Sequence, residues 1–233
     1  MLFGKTALIA GATGGIGSAV AEKLASIGCN LVLMCRTATR YASLANRLEK
    51  YGVKTEKLIC DFQNENSILE AVEKINNMHI DILVNAAGQF PIKTIIDSTL
   101  EDYKVCFDTN VKAPYLLSSS VGRQMCGRKW GRIVNIGSSS SYNGSAETGI
   151  YCASKHALLG LTKSLHQEFR PHNVRVYSVS PGSTQTSMGK TDTRQDFTTF
   201  ITPEEVAEYV SFIMSFDGEG ISEEIRINRM VVR

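Results

Sequence analysis

Short apolar runs alternate with helix-spaced segments along this chain, and no other feature restricts its fold as strongly. Thr6-Ala7-Leu8-Ile9-Ala10, Leu31-Val32-Leu33-Met34, Lys57-Leu58-Ile59-Cys60, Ile80-Asp81-Ile82-Leu83-Val84, Arg132-Ile133-Val134-Asn135-Ile136 and Val174 to Val179 read as six strands. Glu224-Ile225-Arg226-Ile227 reads as a seventh. Between them, Ile16, Val20, Leu24 and Ile27 recur at helical spacing. Further helical patterns cover Tyr41 to Tyr51, Ile68 to Ile75, Leu100 to Met125 and Thr148 to Phe169. Gly52 is placed to stop the pattern that ends at Tyr51. Thr202-Pro203-Glu204-Glu205 has the form of a helix start, with Thr202 as N-cap and Glu205 completing a capping box.

Strands that are apolar along their whole length need cover on both faces, which a parallel sheet between two layers of helices supplies. The expected fold is therefore α/β: one Rossmann-like, doubly wound parallel sheet of about seven strands with helices on both faces, spanning residues 1–233. Ligands of such sheets bind beyond the carboxyl ends of the strands. Residues 185–200 are polar and weakly patterned, and read as a mobile loop.

Composition narrows the function classes. The 233 residues are 43% hydrophobic and 21% charged, as in an ordinary globular chain. The net charge is +2, so a nucleic-acid partner is not expected. Arg123, Arg128, Lys129 and Arg132 read as a solvated turn. Cys29, Cys35, Cys60, Cys106, Cys126 and Cys152 form no C-x-x-C pair; they read as buried reduced thiols of a cytoplasmic protein, without a metal site. Met1 to Lys5 lacks the pattern of a signal peptide, and no run approaches 18 apolar residues, so neither secretion nor a membrane span is expected.

Two motifs carry chemistry. Gly11-Ala12-Thr13-Gly14-Gly15-Ile16-Gly17 follows the first strand and opens a helix. A turn free of side chains lets backbone N–H groups approach a pyrophosphate, and the helix N-terminus adds partial positive charge. A chain that prefers NAD places a carboxylate about 20 residues further on, against the ribose 2′-hydroxyl. Here Cys35-Arg36-Thr37 stands after the second strand, and Arg36 suits a 2′-phosphate, which favours NADP(H) over NAD(H). The second motif is Tyr151-Cys152-Ala153-Ser154-Lys155, whose i, i+4 spacing sets Tyr151 and Lys155 side by side on a helix. A neighbouring cation lowers the phenol pKa from about 10, fitting Tyr151 for proton transfer to a carbonyl oxygen.

Gly11-x-x-x-Gly15-Ile16-Gly17, Asp61, Asn85-Ala86-Ala87-Gly88, Asn110, Asn135-Ile136-Gly137-Ser138, Tyr151-x-x-x-Lys155 and Pro181-Gly182-x-x-x-Thr186 together resemble the short-chain dehydrogenase/reductase family, in order and spacing, over nearly the whole chain. The resemblance implies a catalytic set. Ser138 would bond the substrate carbonyl and Tyr151 would deliver the proton. Lys155 would hold the nicotinamide ribose and lower the Tyr151 pKa, and Asn110 would interrupt its helix and position a relay water. It also implies a cofactor set. Thr13, Gly14 and the turn glycines would hold the pyrophosphate, Asp61 and Phe62 the adenine, and Asn85 to Gly88 the adenosine ribose. Pro181, Gly182, Thr184 and Thr186 would meet the nicotinamide end. From the residues alone, Asp61 also fits a turn cap, Asn85 a buried amide tying two strands, and Asn110 an ordinary helix position. Ser139 or Ser140 replaces Ser138 if the strand ends differently.

The general pattern is closest to bacterial 3-oxoacyl-(acyl-carrier-protein) reductases, which implies a small-molecule or acyl-thioester substrate, a role in fatty acid biosynthesis, an acyl carrier protein partner docked near Arg128 and Lys129, and a homodimer or homotetramer. A sugar, steroid or other small ketone is the alternative substrate, and a catalytically silent dinucleotide-sensing or scaffold protein the non-enzyme alternative. The tail Asn228-Arg229-Met230 departs from the Asp-Gly-Gly signature of many relatives.

Overall fold

The computed structural model describes residues 2–230. Strands β1 (Thr6–Ala10), β2 (Asn30–Cys35), β3 (Thr55–Ile59), β4 (Ile82–Asn85), β5 (Gly131–Ile136), β6 (Val174–Pro181) and β7 (Glu224–Ile227) form one sheet in the order β3-β2-β1-β4-β5-β6-β7. Every pairing is parallel. Helices α1 (Gly15–Ser26), α2 (Ala38–Leu48), α3 (Glu65–Asn76), α4 (Leu100–Phe107), α5 (Ala113–Arg128), α6 (Gly149–Phe169) and α7 (Pro203–Met214) connect them.

The side chains of each central strand divide between two cores. In β1, Ala7 and Ile9 face one layer while Leu8 and Ala10 face the other. In β2, Leu31 and Leu33 oppose Val32 and Met34 in the same way. The first core is closed by Val20 and Leu24 of α1, Leu44 and Leu48 of α2, and Val206 and Val210 of α7. The second is closed by Ile68 and Ile75 of α3, Leu117 and Val121 of α5, and Leu165 and Phe169 of α6. Burying a side chain of this size contributes roughly 1.5–3 kcal/mol, so the period-2 strand pattern fixes the register on both faces at once.

Element ends follow local chemistry. Thr37 accepts from the Arg40 backbone N–H, so α2 begins at Ala38, ahead of the apolar spacing that starts at Tyr41. Gly52 closes the following 3₁₀ turn at φ +66°, a conformation that favours glycine. The long helix expected over Leu100 to Met125 is interrupted by a π-helical turn at Asp108–Lys112, which contains Asn110. Residues 185–200, weakly patterned in sequence, contain short 3₁₀ turns at Gly189–Thr191 and Phe197–Thr199. Arg194, Gln195 and Asp192 tie this segment together.

Arg132 corrects the reading of its neighbourhood. Arg123, Arg128 and Lys129 are exposed, but Arg132 is 0% exposed within β5. Its guanidinium lies 4.6 Å from the Trp130 ring centroid and pairs with Asp217 just beyond α7. A buried charge requires such a partner. Among the described residues, no helix is long and apolar enough to cross a membrane.

The α7 capping box is present: the Thr202 hydroxyl accepts from the Glu205 N–H at 3.2 Å, and the Glu205 carboxylate accepts from the Thr202 N–H at 2.7 Å. Thr202→Ala is expected to destabilise the protein by about 1 kcal/mol and lower its melting temperature by roughly 2–4 °C. An unchanged calorimetric midpoint would show that other contacts hold the start of α7.

Candidate active site

The sheet order reverses between β1 and β4, and a cleft of about 810 Å³ opens there beyond the strand ends. The turn after β1, the end of β2, the loop after β3, residues 86–90, the serine segment after β5, the exposed side of Tyr151 and Lys155 on α6, and residues 181–195 all contribute to its wall.

The turn at Gly11 to Gly17 brings three backbone segments too close for side chains. A Cβ on Gly11 would lie 2.7 Å from the Ala87 backbone, and one on Gly17 would lie 2.2 Å from the Gly11 carbonyl oxygen. A Cβ on Gly15 would meet the Thr186 methyl at 2.5 Å. Helix α1 has neither a side-chain cap nor an acidic residue in its first turn. Its leading N–H groups, at Gly15 and Ile16 on the cleft wall, therefore suit an anion. At the β2 end Arg36 lines the cleft together with Arg40, both exposed. The sequence reading missed Arg40; its signal is the Thr37 cap, which places it in the first turn of α2. Among the described residues, the Thr109 hydroxyl is buried on this wall without a hydrogen-bond partner. The uncapped helix start, the side-chain-free turn and the paired guanidinium groups fit a phosphorylated dinucleotide.

Across the cleft stand Ser138, Tyr151 and Lys155. Tyr151 is 8% exposed, Ser138 8% and Lys155 4%. Of the four consecutive serines, Ser138 is the one whose side chain acts on the Tyr151 phenol, drawing its pKa down. It also caps the 3₁₀ turn Ser139–Ser141 by accepting from the Ser140 N–H. Phe90 packs edge-on against the Tyr151 ring at 4.6 Å between centroids, a contact that sequence spacing could not reveal. Lys155 donates to the Ile136 carbonyl at 2.8 Å and lies 5.7 Å from the Tyr151 ring centroid. The expected lowering of the phenol pKa is outweighed here. Burial pushes Tyr151 up to about 12 against the opposing Ser138 hydrogen bond, and burial pushes Lys155 down to about 8.

Three residues expected at the site stand behind it. Asn85 spends its amide on Asn135 Oδ1 at 2.7 Å and Ser118 Oγ at 3.3 Å, tying β4 to β5, while Ala86, Ala87 and Gly88 line the cleft. Asn110 is 0% exposed. It accepts from the Gln89 N–H at 2.8 Å and donates to the Gln89 carbonyl at 3.0 Å and to Ser154 at 2.9 Å, so its side chain clamps the loop after β4. Gly17 sits beneath the turn, where it allows α1 to start against Gly11. Asp61 lines the cleft and also caps its own turn by accepting from the Gln63 N–H at 3.1 Å. Thr13, Phe62, Pro181, Gly182, Thr184 and Thr186 all reach the cleft wall. Arg128 and Lys129 do not: they precede β5, at the end of the sheet opposite this chain's cleft.

Lys155 offers a direct check on the electrostatics. Folded Lys155 loses its proton from about pH 8, while the unfolded residue keeps it to about 10.5. Between those values the unfolded chain binds more protons. In buffer without dinucleotide, wild-type stability is therefore expected to rise with pH relative to Lys155→Met, by about 3 kcal/mol across the window. Denaturant titrations of both proteins from pH 7 to 10.5 read this out; a pH-independent difference would mean that the ammonium group is well solvated.

The geometry has counterparts in known proteins. The sequence profile described as short chain dehydrogenase matches residues 5–196. The chain is 37% identical over 226 residues to a 3-oxoacyl-(acyl-carrier-protein) reductase of Aquifex aeolicus, covering 92% of this chain and 91% of that protein. The enzyme of the same name from Rickettsia prowazekii is 33% identical over 224 residues, covering 92% and 90%. A metagenomic short-chain oxidoreductase in complex with NADP superposes with a TM-score of 0.86 at 29% identity, covering 99% of each chain. A Sphingobium yanoikuyae short-chain dehydrogenase in complex with NADPH gives 0.86 at 28%, covering 96% and 87%. This chain belongs to the short-chain dehydrogenase/reductase family, the NAD(P)-dependent oxidoreductases of ketones and secondary alcohols.

Proposed function

We propose that this protein is an NADP(H)-dependent reductase of 3-oxoacyl thioesters. The observation that carries the reading is the buried Ser138–Tyr151–Lys155 group, set across one cleft from an uncapped helix start. Bound nicotinamide supplies or accepts the hydride. Tyr151 gives its proton to the carbonyl oxygen, and the Ser138 hydroxyl donates to the same oxygen. Lys155 places a positive charge behind the phenol as its proton leaves. The Asn110 side chain is occupied by Gln89, so its part in a relay falls to the backbone of the π turn.

Arg36 and Arg40 support NADP(H): the β2 end offers two guanidinium groups and no carboxylate against the 2′ position. The relatives in Aquifex and Rickettsia support the thioester. So does the wall beyond Ser138, where Ser139, Ser140, Asn143 and Ser145 suit the amides of a pantetheine arm better than the apolar rings of a steroid. Exposed Tyr209, Phe212 and Phe216 near the C-terminus of α7, and Leu100, Tyr103 and Tyr115 on α4 and α5, support a homo-oligomer. A cytoplasmic location and a carrier-protein-borne substrate complete the reading.

With an acetoacetyl thioester, the purified protein is expected to oxidise NADPH faster than NADH. Tyr151→Phe should cut turnover by at least about 10³-fold while leaving NADPH binding by fluorescence nearly intact. Turnover near wild type would remove Tyr151 as the proton donor. The double variant Arg36→Ala/Arg40→Ala should weaken NADPH binding tenfold or more, about 1.4 kcal/mol, with little change for NADH. Equal losses for both would show that neither arginine reads the 2′-phosphate.

A further inference from the structure

Resting on the reductase reading above, we propose that Arg229 reads an anionic group on the ketone substrate, so that the preferred substrates carry a carboxylate or a phosphate. Arg229 belongs to the short tail after β7. That tail is held to the cleft by the bond from the Gly182 N–H to the Ile227 carbonyl, 2.8 Å long. Its guanidinium lines the cleft, half-buried, at 5.1 Å from the Phe200 ring centroid.

The carboxylates of this wall are already committed. Arg194 takes both oxygens of Asp192, at 2.7 and 3.0 Å, and one oxygen of Glu147 at 2.9 Å. Asp192 also accepts from the Gln195 amide at 2.8 Å. Arg229 has only neutral partners among the described residues: it donates to Gln195 Oε1 at 2.5 Å and to Thr199 Oγ1 at 3.2 Å. Gln195 Oε1 accepts from the Ser183 hydroxyl as well, at 3.1 Å, which fixes Arg229 relative to the segment that follows Gly182. A guanidinium carries five N–H donors in a planar fork. Half-buried and with no counter-charge among the described residues, it favours a planar or tetrahedral oxyanion that accepts two of them. The arginines that suit the cofactor, Arg36 and Arg40, follow β2 and belong to a different wall.

Two substrate pairs test this with NADPH. Acetoacetate against methyl acetoacetate isolates a carboxylate. Acetoacetyl-phosphopantetheine against acetoacetyl-pantetheine isolates a phosphate on the same thioester. The wild type is expected to favour the anionic member of one pair at least tenfold in kcat/KM, and the favoured pair names the group. Arg229→Gln should erase that ratio chiefly through KM, and Arg229→Lys, which keeps the charge but not the fork, should retain only part of it. The NADPH dissociation constant should move less than twofold in either variant. Turnover without an anionic preference in either pair would overturn the inference while sparing the reductase reading, and this outcome needs no folded variant. A preference that survives Arg229→Gln would also overturn it. No NADPH oxidation with any of the four compounds would overturn the reductase reading first.

Discussion

The backbone of α1 starts against the carbonyl of Gly11, and most of the molecule is arranged to permit that contact. A side chain at Gly17 would collide with the Gly11 oxygen, and one at Gly11 would collide with the Ala87 backbone. Strand β1, helix α1 and the loop after β4 are thus locked together by two approaches that only glycine allows. The sheet order reverses at this place, and the leading N–H groups of α1 face the gap that results. The free N–H groups that suit an anion and the fold topology are here the same structural fact.

The half of the cleft around Tyr151 and Lys155 rests on a different principle. Tyr151 and Lys155 are adjacent on α6 and almost fully buried, so desolvation resists both the phenolate and the ammonium forms. Each has a single local polar partner that favours its charged form, the Ser138 side chain in one case and the Ile136 carbonyl in the other. A site of this kind favours the neutral form of each group, and binding must supply the charges and dipoles that let a proton move. That division explains why Asn110 is spent on holding Gln89: the loop after β4 forms part of the wall and has little regular structure of its own.

The sequence made legible whatever depends on local period or short spacing. The double-sided strands, the Gly52 stop, the Thr202 capping box and the glycine turn were all readable, because each is decided within a few residues. Contacts between distant segments were not. Arg132 looked like part of a basic surface turn, yet the strand period carries it into the interior to meet Asp217, 85 residues away. Asn85 belongs to a motif that borders the cleft, but its own side chain points between strands toward Asn135. Phe90, Arg40 and Arg229 became recognisable once three walls were assembled around one gap.

The tail beyond α7 touches both ends of the molecule. Asp217 neutralises a fully buried guanidinium beneath the sheet, and Arg229 returns to the cleft above it. Loss of the first would leave a charge stranded in the interior, whereas change at the second alters only what lies along one wall. Evolutionary freedom is therefore unequal along this short stretch. Substitutions near residue 217 put the whole fold at risk, while those a dozen residues later let new substrate preferences be sampled on an unchanged scaffold.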